Sequence, residues 1–248
     1  MLVSERRQLL LDRLSRDGKV IARELADELD LSEDSIRRDL RDLAAAGRCQ
    51  RVYGGAVPVS RALVDYRARR AVEPQSKQRV ANLAVGLIKP GDRVILDGGT
   101  TTLAVTQALP PDLPATIITH SPTIAAALIE HPTVEIQLLG GRIYKHSAVA
   151  CGAATAEAAR MFKADLFLLG VTGVHHEEGL TTGDAEEAAM KRTLARQAAD
   201  TFALASAEKI GAISPYQVLG LQSISGIVTD ADEDALAELR ATGAHIRT

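Results

Sequence analysis

One segment near the start of the chain constrains the fold more than any other, and it reads Asp30-Leu31-Ser32-Glu33-Asp34-Ser35-Ile36-Arg37-Arg38-Asp39-Leu40. A helical pattern over residues 22–29 ends at Asp30 and Leu31, which form a turn. Ser32 can cap a new helix, because its hydroxyl accepts a hydrogen bond from an N–H in the first turn, and the acidic pair that follows favours the same end. The segment therefore predicts two short helices joined by a tight turn.

The helix that follows Ser32 has an apolar side and a basic side. Ile36, Leu40 and Leu43 recur at the spacing of one helical face and are expected to lie in a small core. The residues that point away from this core, with Ser35 at the edge, are Arg37, Arg38 and Arg41. A helix N-terminus together with exposed positive charge suits the major groove of DNA.

Flanking elements complete a compact module. A first helix is expected from Ser4, as its N-cap, to Asp17, with Gly18 ending it. After Gly47, residues 48–57 contain two short β-prone pieces and a glycine pair, which predicts a hairpin. This order of helices, turn and basic hairpin favours a DNA-binding module.

A second interpretation leaves the three helices solvated, with the arginines of the third helix paired to Asp34, Asp39 and Asp42. Bulk charge does not decide between the two. Residues 1–80 contain 17 Lys and Arg against 13 Asp and Glu, and the other 168 residues contain 12 against 19. The whole chain carries a net charge of −3, so a generic polyanion binder is excluded.

The composition indicates a soluble intracellular protein, and we expect it in the cytoplasm. Hydrophobic residues make up 46% of the 248 residues, without a run long enough for a membrane span. Cys49 and Cys151 form neither a disulfide framework nor a metal-ligand spacing. The N-terminus has charged residues where a signal peptide would have an apolar core.

Residues 58–76 lack sustained periodicity and are predicted to link residues 1–57 to a second domain over residues 77–248. The linker contains Arg61, Arg67, Arg69 and Arg70. It is either a connector that skims DNA or a solvated tether. A helix is expected from Lys77 to Pro90.

Apolar strands alternate with helical patterns through the second domain. The strands are expected at residues 94–96, 116–119, 134–139, 165–169 and 201–205, with a further pair at 227–228. The helices are expected at 103–109, 124–129, 152–162, 186–200 and 232–241. This alternation predicts an α/β fold with a mostly parallel sheet covered on both faces.

Glycines and polar residues collect where the strands end, the edge at which open α/β sheets bind ligands. The strongest element is Asp97-Gly98-Gly99-Thr100-Thr101-Thr102, between a strand and a helix. Glycines let the backbone approach an anion, a helix N-terminus supplies N–H groups, and threonines add hydroxyls. The segment has neither the Gly-Lys-Ser/Thr of a nucleoside-triphosphate loop nor the Gly-x-Gly-x-x-Gly spacing of a dinucleotide site. A small phosphate ester therefore fits better than ATP or NAD. The alternative is a tight turn without a ligand.

Cations near this edge are weaker signals. Lys191 lies one turn after Glu187, a spacing typical of a solvated ion pair. Lys209 follows the fifth strand, and Arg142 and Lys145 follow the third. The run His175-His176-Glu177-Glu178 could suggest a metal, but adjacent histidines do not readily share one. We expect neither a metal nor a cofactor.

The N-terminal motifs resemble those of the DeoR family of bacterial transcriptional regulators. They are Ser32-x-x-Ser35-Ile36-Arg37-Arg38-Asp39-Leu40 and Arg51-Val52-Tyr53-Gly54-Gly55-Ala56. The family more often has Thr at Ser35 and His at Tyr53. The resemblance implies a winged helix-turn-helix in which residues 32–46 form the recognition helix. Ser35, Arg37 and Arg38 would approach base edges, and Arg41, Arg51 and Tyr53 would hold phosphates.

The second domain resembles the sensor domain of the same family, which is similar in fold to ribose-5-phosphate isomerase. The matching landmarks are Asp97-x-Gly99-Thr100-Thr101, Thr119-His120-Ser121, Leu139-Gly140-Gly141, Gly170-x-Thr172-Gly173, Gly179-Leu180-Thr181, Lys191, Lys209 and Ile227-Val228-Thr229-Asp230. The resemblance implies that a phosphorylated sugar or polyol binds at residues 97–102, with further candidates at Thr119, His120, Gly140, Gly141, Arg142, Thr172, Gly173, Glu187, Lys191 and Lys209. Two departures are His120, usually Asn, and Ser206, usually Asp, so the particular effector is open.

These observations together predict a sequence-specific regulator, a repressor of a carbohydrate-catabolism operon that a phosphorylated sugar or polyol releases from double-stranded operator DNA. Two half-sites need two modules, so a homodimer or homotetramer is expected. The alternative is an enzyme, a sugar-phosphate isomerase with a DNA-binding appendage. Residues 173–175 lack the isomerase carboxylates, which leaves Glu187 as the candidate base, so we expect a regulator rather than an enzyme.

Overall fold

The computed structural model describes residues 2–60 and 66–248, so Arg61 and the four residues after it lie outside the description. The first part is a winged helix-turn-helix. Its elements are α1 (Val3–Asp17), β1 (Val20–Ile21), α2 (Ala22–Leu29), α3 (Glu33–Ala45), β2 (Gln50–Val52) and β3 (Gly55–Val57). The strands form an antiparallel sheet in the order β1-β3-β2. Its core is aliphatic and includes Leu10, Leu14, Ile36 and Leu40.

The signals at the helix ends hold with one exception. Helix α1 starts at Val3 instead of being capped by Ser4, and the N–H of Leu2 donates to the Glu5 carboxylate at 2.9 Å. Gly18 follows α1 with φ of 71°, a left-handed conformation that costs glycine little. The predicted hairpin over residues 48–57 is present as β2 and β3.

The connecting segment contains α4 (Tyr66–Arg69) and leads into α5 (Pro74–Val85). The helix expected from Lys77 begins three residues earlier because a proline at the first helical position loses no hydrogen bond. Arg69 and Lys77 are both buried against the second part of the chain. Residues 66–76 are thus anchored at Arg69 and Ser76, although most of the segment is exposed.

The second part adds strands and helices in alternation. The strands are β4 (Arg93–Leu96), β5 (Ala115–Thr119), β6 (Val134–Leu138), β7 (Arg142–Tyr144), β8 (Val149–Cys151), β9 (Ala164–Gly170), β10 (Gly173–His175), β11 (Gly179–Thr182), β12 (Ala198–Ala205), β13 (Tyr216–Leu219), β14 (Gly226–Thr229) and β15 (Ile246–Arg247). The helices are α6 (Thr100–Ala108), α7 (Pro122–Leu128), α8 (Ala153–Arg160), α9 (Ala185–Ala195) and α10 (Glu233–Ala241).

A seven-stranded parallel sheet, in the order β15-β14-β12-β9-β4-β5-β6, confirms the predicted α/β fold. Alternate side chains of a strand face opposite sides of the sheet. Val94 and Leu96 of β4 pack in the layer with α5, α6 and α7, whereas Ile95 packs in the layer with α8, α9 and α10. Both faces are thus covered.

Three features departed from the sequence pattern. The helix expected over residues 186–200 ends at Ala195, and β12 starts at Ala198, because pairing with β9 overrides the helical preference of alanine. The β7–β8 hairpin and the antiparallel sheet β10-β11-β13 were not predicted. Their strands are only three or four residues long, too short for a clear alternation. Among the described residues, no helix is both long enough and apolar enough to span a membrane.

Candidate functional site

Helix α3 is fixed by a cap at its N-terminus and by a row of buried apolar residues, which together determine the face that it exposes. The Ser32 hydroxyl accepts from the Ser35 N–H at 3.3 Å, and the two hydroxyls lie 2.8 Å apart. Ile36, Leu40 and Leu43 are buried as expected. Arg37, Arg38 and Arg41 are all exposed.

Among the described residues, the aspartates of the second interpretation, Asp34, Asp39 and Asp42, form no ion pair with the arginines of α3. Asp39 is buried and binds Arg6 and Arg7 of α1, and Asp42 also pairs with Arg7. Arg37 forms an ion pair with Glu33 at 2.6 Å. In residues 2–60 and 66–248, neither Arg38 nor Arg41 contacts a carboxylate. The outer face of α3 therefore keeps two unpaired positive charges.

The wing stands beside α3, with β2 and β3 both in contact with that helix. Arg51 on β2 is exposed, and Tyr53 at the hairpin tip is fully exposed. Gly55 is required by close packing, since a Cβ there would lie 1.8 Å from the carbonyl oxygen of Val20. The seven residues predicted to contact DNA thus lie on α3, at its cap and on the wing.

A second site is a cavity at the carboxyl end of β4, lined by the loop and helix start over residues 98–102, which we call the cradle. Gly98 packs so closely on Val149 that a Cβ would lie 1.9 Å from its Cγ1, and Gly99 has φ of 141°. The first N–H groups of α6 have no intrahelical acceptor and carry the positive end of the helix dipole. This part of the cavity suits an anion.

Asp97 is completely buried behind the cradle. One carboxylate oxygen accepts from Gly98 N at 2.9 Å and contacts His120 Nε2 at 2.8 Å. The other accepts from Gly170 N at 2.9 Å and from the Lys191 ammonium. Burial opposes the charged form, but Lys191 and His120 favour it, and the pKa of Asp97 is lowered. Asp97 and His120 therefore brace the cradle from behind.

Lys191 is buried with Asp97, so a solvated pair with Glu187 is wrong. Besides Asp97, its ammonium lies 3.2 Å from the Glu187 carboxylate and 3.0 Å from Gly170 O. Burial alone would lower the pKa of Lys191. The two carboxylates have the larger combined effect, and they raise the pKa above its usual value. The second oxygen of Glu187 accepts from Ser147 at 2.9 Å. Glu187 is thus engaged on both oxygens, which does not suit a free catalytic base.

Lys209 is the cation closest to the cradle. Its ammonium donates to Thr101 Oγ1 at 2.9 Å. Burial lowers the pKa of Lys209 to about 8, with Glu208 only partly opposing the shift. An anion in the cavity would favour the charged ammonium.

Three polar atoms around this cavity are buried without a hydrogen-bond partner among the described residues. They are Arg69 Nε, Thr182 Oγ1 and Glu208 Oε2. Buried polar atoms are normally satisfied, and an unsatisfied one costs about 1–3 kcal/mol. The cavity therefore offers donors and acceptors that a polar, anionic ligand could use.

The predicted effector residues fall into two groups. Those that line the cavity are Gly98, Gly99, Thr100, Thr101, Thr102, Thr172, Glu187, Lys191 and Lys209. Those that do not line it are Asp97, Thr119, His120, Gly140, Gly141, Arg142 and Gly173. Gly141 packs under Thr155, Arg142 is exposed on β7, and Gly173 packs against the Ala212 carbonyl.

Sequence reasoning missed several lining residues, above all Arg69, Lys77, Thr182 and Glu208. The cluster of arginines before Pro74 was visible, but nothing in its spacing distinguishes the buried Arg69. Thr182 lies on a four-residue strand that was not predicted, and Glu208 precedes Lys209 in a short 3-10 turn. These residues are brought together only by tertiary packing.

The histidine pair lies away from the cavity. Donor atoms of His175, His176 and Glu177 fall within 4.8 Å of one another. However, His175 Nδ1 accepts from the N–H groups of Glu177 and Glu178 at 3.2 and 3.4 Å. That places the ring proton on Nε2, the nitrogen that would have to bind a metal. The geometry does not suit metal ligation by His175.

Two family models match the chain. The DeoR-like helix-turn-helix domain matches residues 6–62, and the DeoR C terminal sensor domain matches residues 72–231. The second match covers more than half of the chain. Together they include the exposed face of α3 and the residues that line the cavity, apart from Arg69.

Relatives that match over most of their length are also named as transcriptional regulators or repressors. The chain is 34% identical to the uncharacterized HTH-type transcriptional regulator FruR of Bacillus subtilis, over 94% of this chain and 93% of that protein. It is 33% identical to the HTH-type transcriptional repressor GlcR of the same organism, over 93% and 89%. The Escherichia coli glycerol-3-phosphate regulon repressor is 26% identical over 100% and 98%.

Solved structures overlay more loosely. The probable sor operon regulator from Shigella flexneri has a TM-score of 0.45 at 13% identity, covering 68% of this chain and 90% of that chain. Ribose 5-phosphate isomerase A from Methanocaldococcus jannaschii has a TM-score of 0.40 at 17% identity, covering 54% and 52%.

Proposed function

Because this chain belongs to the DeoR family of DNA-binding transcriptional regulators, we propose that it represses a carbohydrate-catabolism operon and is released from the operator by a phosphorylated sugar or polyol. It is a regulator and not an enzyme. Relatives named as repressors include GlcR and the glycerol-3-phosphate regulon repressor. Their names support repression and a small phosphorylated ligand.

One observation carries the proposal for the ligand: the cavity has an excess of buried positive charge beside a helix N-terminus. In the described part of the chain, four cations line it, namely Arg69, Lys77, Lys191 and Lys209, against two lining acids, Glu187 and Glu208, and the buried Asp97 behind the cradle. Among the described residues, Arg69, Lys77 and Lys209 have no carboxylate at ion-pair distance. Buried charges are costly unless paired. A phosphate dianion would supply the missing negative charge.

The ligand can be placed by matching groups. Its phosphoryl oxygens would accept from the N–H groups of the cradle and from Lys209. Its hydroxyls would bond to Thr172, Thr182 and Glu187, which line the same cavity. The Asp97–Lys191 pair would keep the cradle in shape, and Lys191 also lines the cavity.

The DNA contacts follow from the exposed face of α3. Ser35, Arg37 and Arg38 would read base edges in the major groove, while Arg41 and the wing residues Arg51 and Tyr53 would contact phosphates. The N-terminus of α3, with Ser32, would approach the sugar-phosphate backbone of the DNA. A homodimer or homotetramer would present two such helices to a two-fold operator. The cytoplasm is the compartment that contains this DNA.

A ligand can change DNA affinity only if it binds the DNA-competent and DNA-incompetent arrangements unequally. The test therefore needs both partners. Operator fragments are selected by incubating the purified protein with sheared genomic DNA, and ligands are screened by thermal shift with sugar phosphates and polyol phosphates. Each phosphorylated compound is compared with its unphosphorylated parent. The proposal expects at least one phosphorylated compound, and not its parent, to raise the Tm. No shift with any phosphorylated sugar or polyol would contradict it.

A further inference from the structure

The segment between the DNA-binding module and the sensor contributes two buried cations to the effector cavity. Arg69 closes α4 and is 7% exposed, and Lys77 lies in the first turn of α5 and is 4% exposed. Both line the same cavity as the cradle. The cavity is thus completed by residues that the sensor sheet does not supply.

Lys77 is occupied in holding this segment together. Its ammonium donates to the backbone carbonyls of Arg69 and Val72, at 2.6 Å for the first. These bonds fix the chain between α4 and α5 beside the cavity. Arg69 is thereby held in position by Lys77.

Arg69 is only partly satisfied. One terminal nitrogen donates to His146 O at 3.1 Å and to Ser147 Oγ at 3.2 Å, both on the β7–β8 turn. Its Nε is buried and has no hydrogen-bond partner among the described residues. Burial also lowers the pKa of Arg69, because the nearby carboxylates only partly offset the loss of water. A guanidinium in this state lacks an anion.

We propose that Arg69 binds the anionic group of the effector and thereby links the occupied cavity to the DNA-binding module. The inference rests on the proposed function, since it assigns a residue and a route to the same ligand. A guanidinium binds a phosphate through parallel N–H groups, which the ammonium of Lys209 cannot do. The phosphate lies between the connector and the cradle.

The route to the DNA-binding module runs through the start of the same connector. Ser60 follows β3 of the wing by three residues, and its hydroxyl donates to the carbonyl oxygen of Thr172. Thr172 itself lines the cavity. Val59 forms a bridge with Ile213, next to Ser214, whose hydroxyl lies 2.7 Å from that of Thr172. The chain therefore meets the wall of the cavity at Ser60, three residues after the last strand of the wing.

The experiment measures binding of inorganic phosphate to the full-length protein by isothermal calorimetry, together with amide hydrogen exchange. The variants are Arg69→Gln, Arg69→Lys and the control Arg67→Gln, an exposed arginine two residues away that does not line the cavity. Lys209→Met reports separately on the cradle side. Folding of each variant is checked by circular dichroism and Tm.

We expect Arg69→Gln to weaken phosphate binding by about tenfold or more, and Arg69→Lys to restore it only in part, because a single charge replaces a paired set of donors. Arg67→Gln should bind as the wild type does. Phosphate should slow exchange in peptides covering residues 66–77 and alter it in the wing, residues 48–57, in the wild type but not in Arg69→Gln.

Failure of the two proposals is distinguishable. Phosphate binding that is lost in Lys209→Met but unchanged in Arg69→Gln would overturn the role of Arg69 and leave the proposed function intact. Unchanged exchange in the wing would overturn the link to the DNA-binding module. Absence of phosphate binding to the wild type would overturn both the inference and the phosphorylated effector. If Arg69→Gln does not fold, the comparison rests on Arg69→Lys, and equal affinity in that variant and the wild type would overturn the inference.

Discussion

The carboxylate of Asp97 and the ammonium of Lys191 form a buried ion pair that joins the loop after β4 to α9. His120 and the N–H groups of Gly98 and Gly170 occupy the rest of the Asp97 carboxylate. The pair therefore fixes the position of the cradle relative to α9. It supports the ligand site from behind, and Lys191 also forms part of the cavity lining.

Asp97→Asn should destabilise the protein by up to about 3–5 kcal/mol, because it removes one of the two carboxylates that offset the buried charge of Lys191 and leaves Glu187 as the other. Urea unfolding monitored by circular dichroism gives the free energy of unfolding. The matched control is Glu233→Gln, which breaks an exposed pair with Arg240 and should cost less than about 1 kcal/mol. Equal effects of the two substitutions would contradict the structural role of Asp97.

Ligand binding near pH 8 should take up protons through Lys209. Burial lowers the pKa of this ammonium to about 8, so a large fraction is neutral at that pH in the free protein. A bound anion favours the charged form, and binding should therefore take up as much as about half a proton at pH 8 and less at pH 7. Affinity should fall as the pH rises above 8.

Calorimetry in buffers of different ionisation enthalpy measures this uptake. Lys209→Arg is the control, because a guanidinium stays charged and should abolish the uptake near pH 8. Proton uptake that persists unchanged in that variant would assign it to another group.

Thr101→Val should weaken effector binding by about tenfold and leave operator affinity unchanged. The substitution keeps the shape of the side chain but removes the hydroxyl that accepts from the Lys209 ammonium. Operator binding and its reversal are measured by fluorescence anisotropy. Thr106→Val is the matched control on the same helix, since its hydroxyl bonds to Leu103 O and does not line the cavity. A Thr101→Val protein that is released at the wild-type ligand concentration would place the ligand elsewhere.

Arg38→Ala should reduce operator affinity by about 10- to 100-fold while the Tm stays close to that of the wild type, because the side chain is exposed and contacts no carboxylate in the described part of the chain. The control is Arg160→Ala, which removes an exposed positive charge from α8. If both variants lose the same affinity, bulk charge rather than a contact by α3 accounts for the effect.

The DNA-binding module could be predicted from sequence because its signals are local. The cap at Ser32, the apolar spacing from Ile36 to Leu43 and the turn before them lie within fourteen residues of one another. The partners of Asp39 could not be predicted, because Arg6 and Arg7 reach it from another helix. The local sequence therefore suggested that Asp39 neutralises an arginine of α3, whereas Asp39 binds Arg6 and Arg7 of α1.

The cradle was also predictable, since the glycines and threonines are consecutive, but the contribution of the connecting segment to the cavity was not. Arg69 is one of four arginines in a segment without periodicity, and only packing against the β7–β8 turn distinguishes it. Lys191 shows the same limit. Its spacing from Glu187 is that of a surface pair, and its burial follows from Asp97, more than ninety residues away.

The most direct test measures the dissociation constant of the wild-type protein for its operator with and without the phosphorylated ligand found in the thermal-shift screen. Anisotropy of a labelled operator fragment at fixed salt gives both values. The account predicts that saturating ligand raises the dissociation constant by about 5- to 150-fold, the usual range of coupling between two sites. It also predicts no change with the unphosphorylated parent. A ligand that binds the cavity and leaves the operator affinity unchanged would contradict the account.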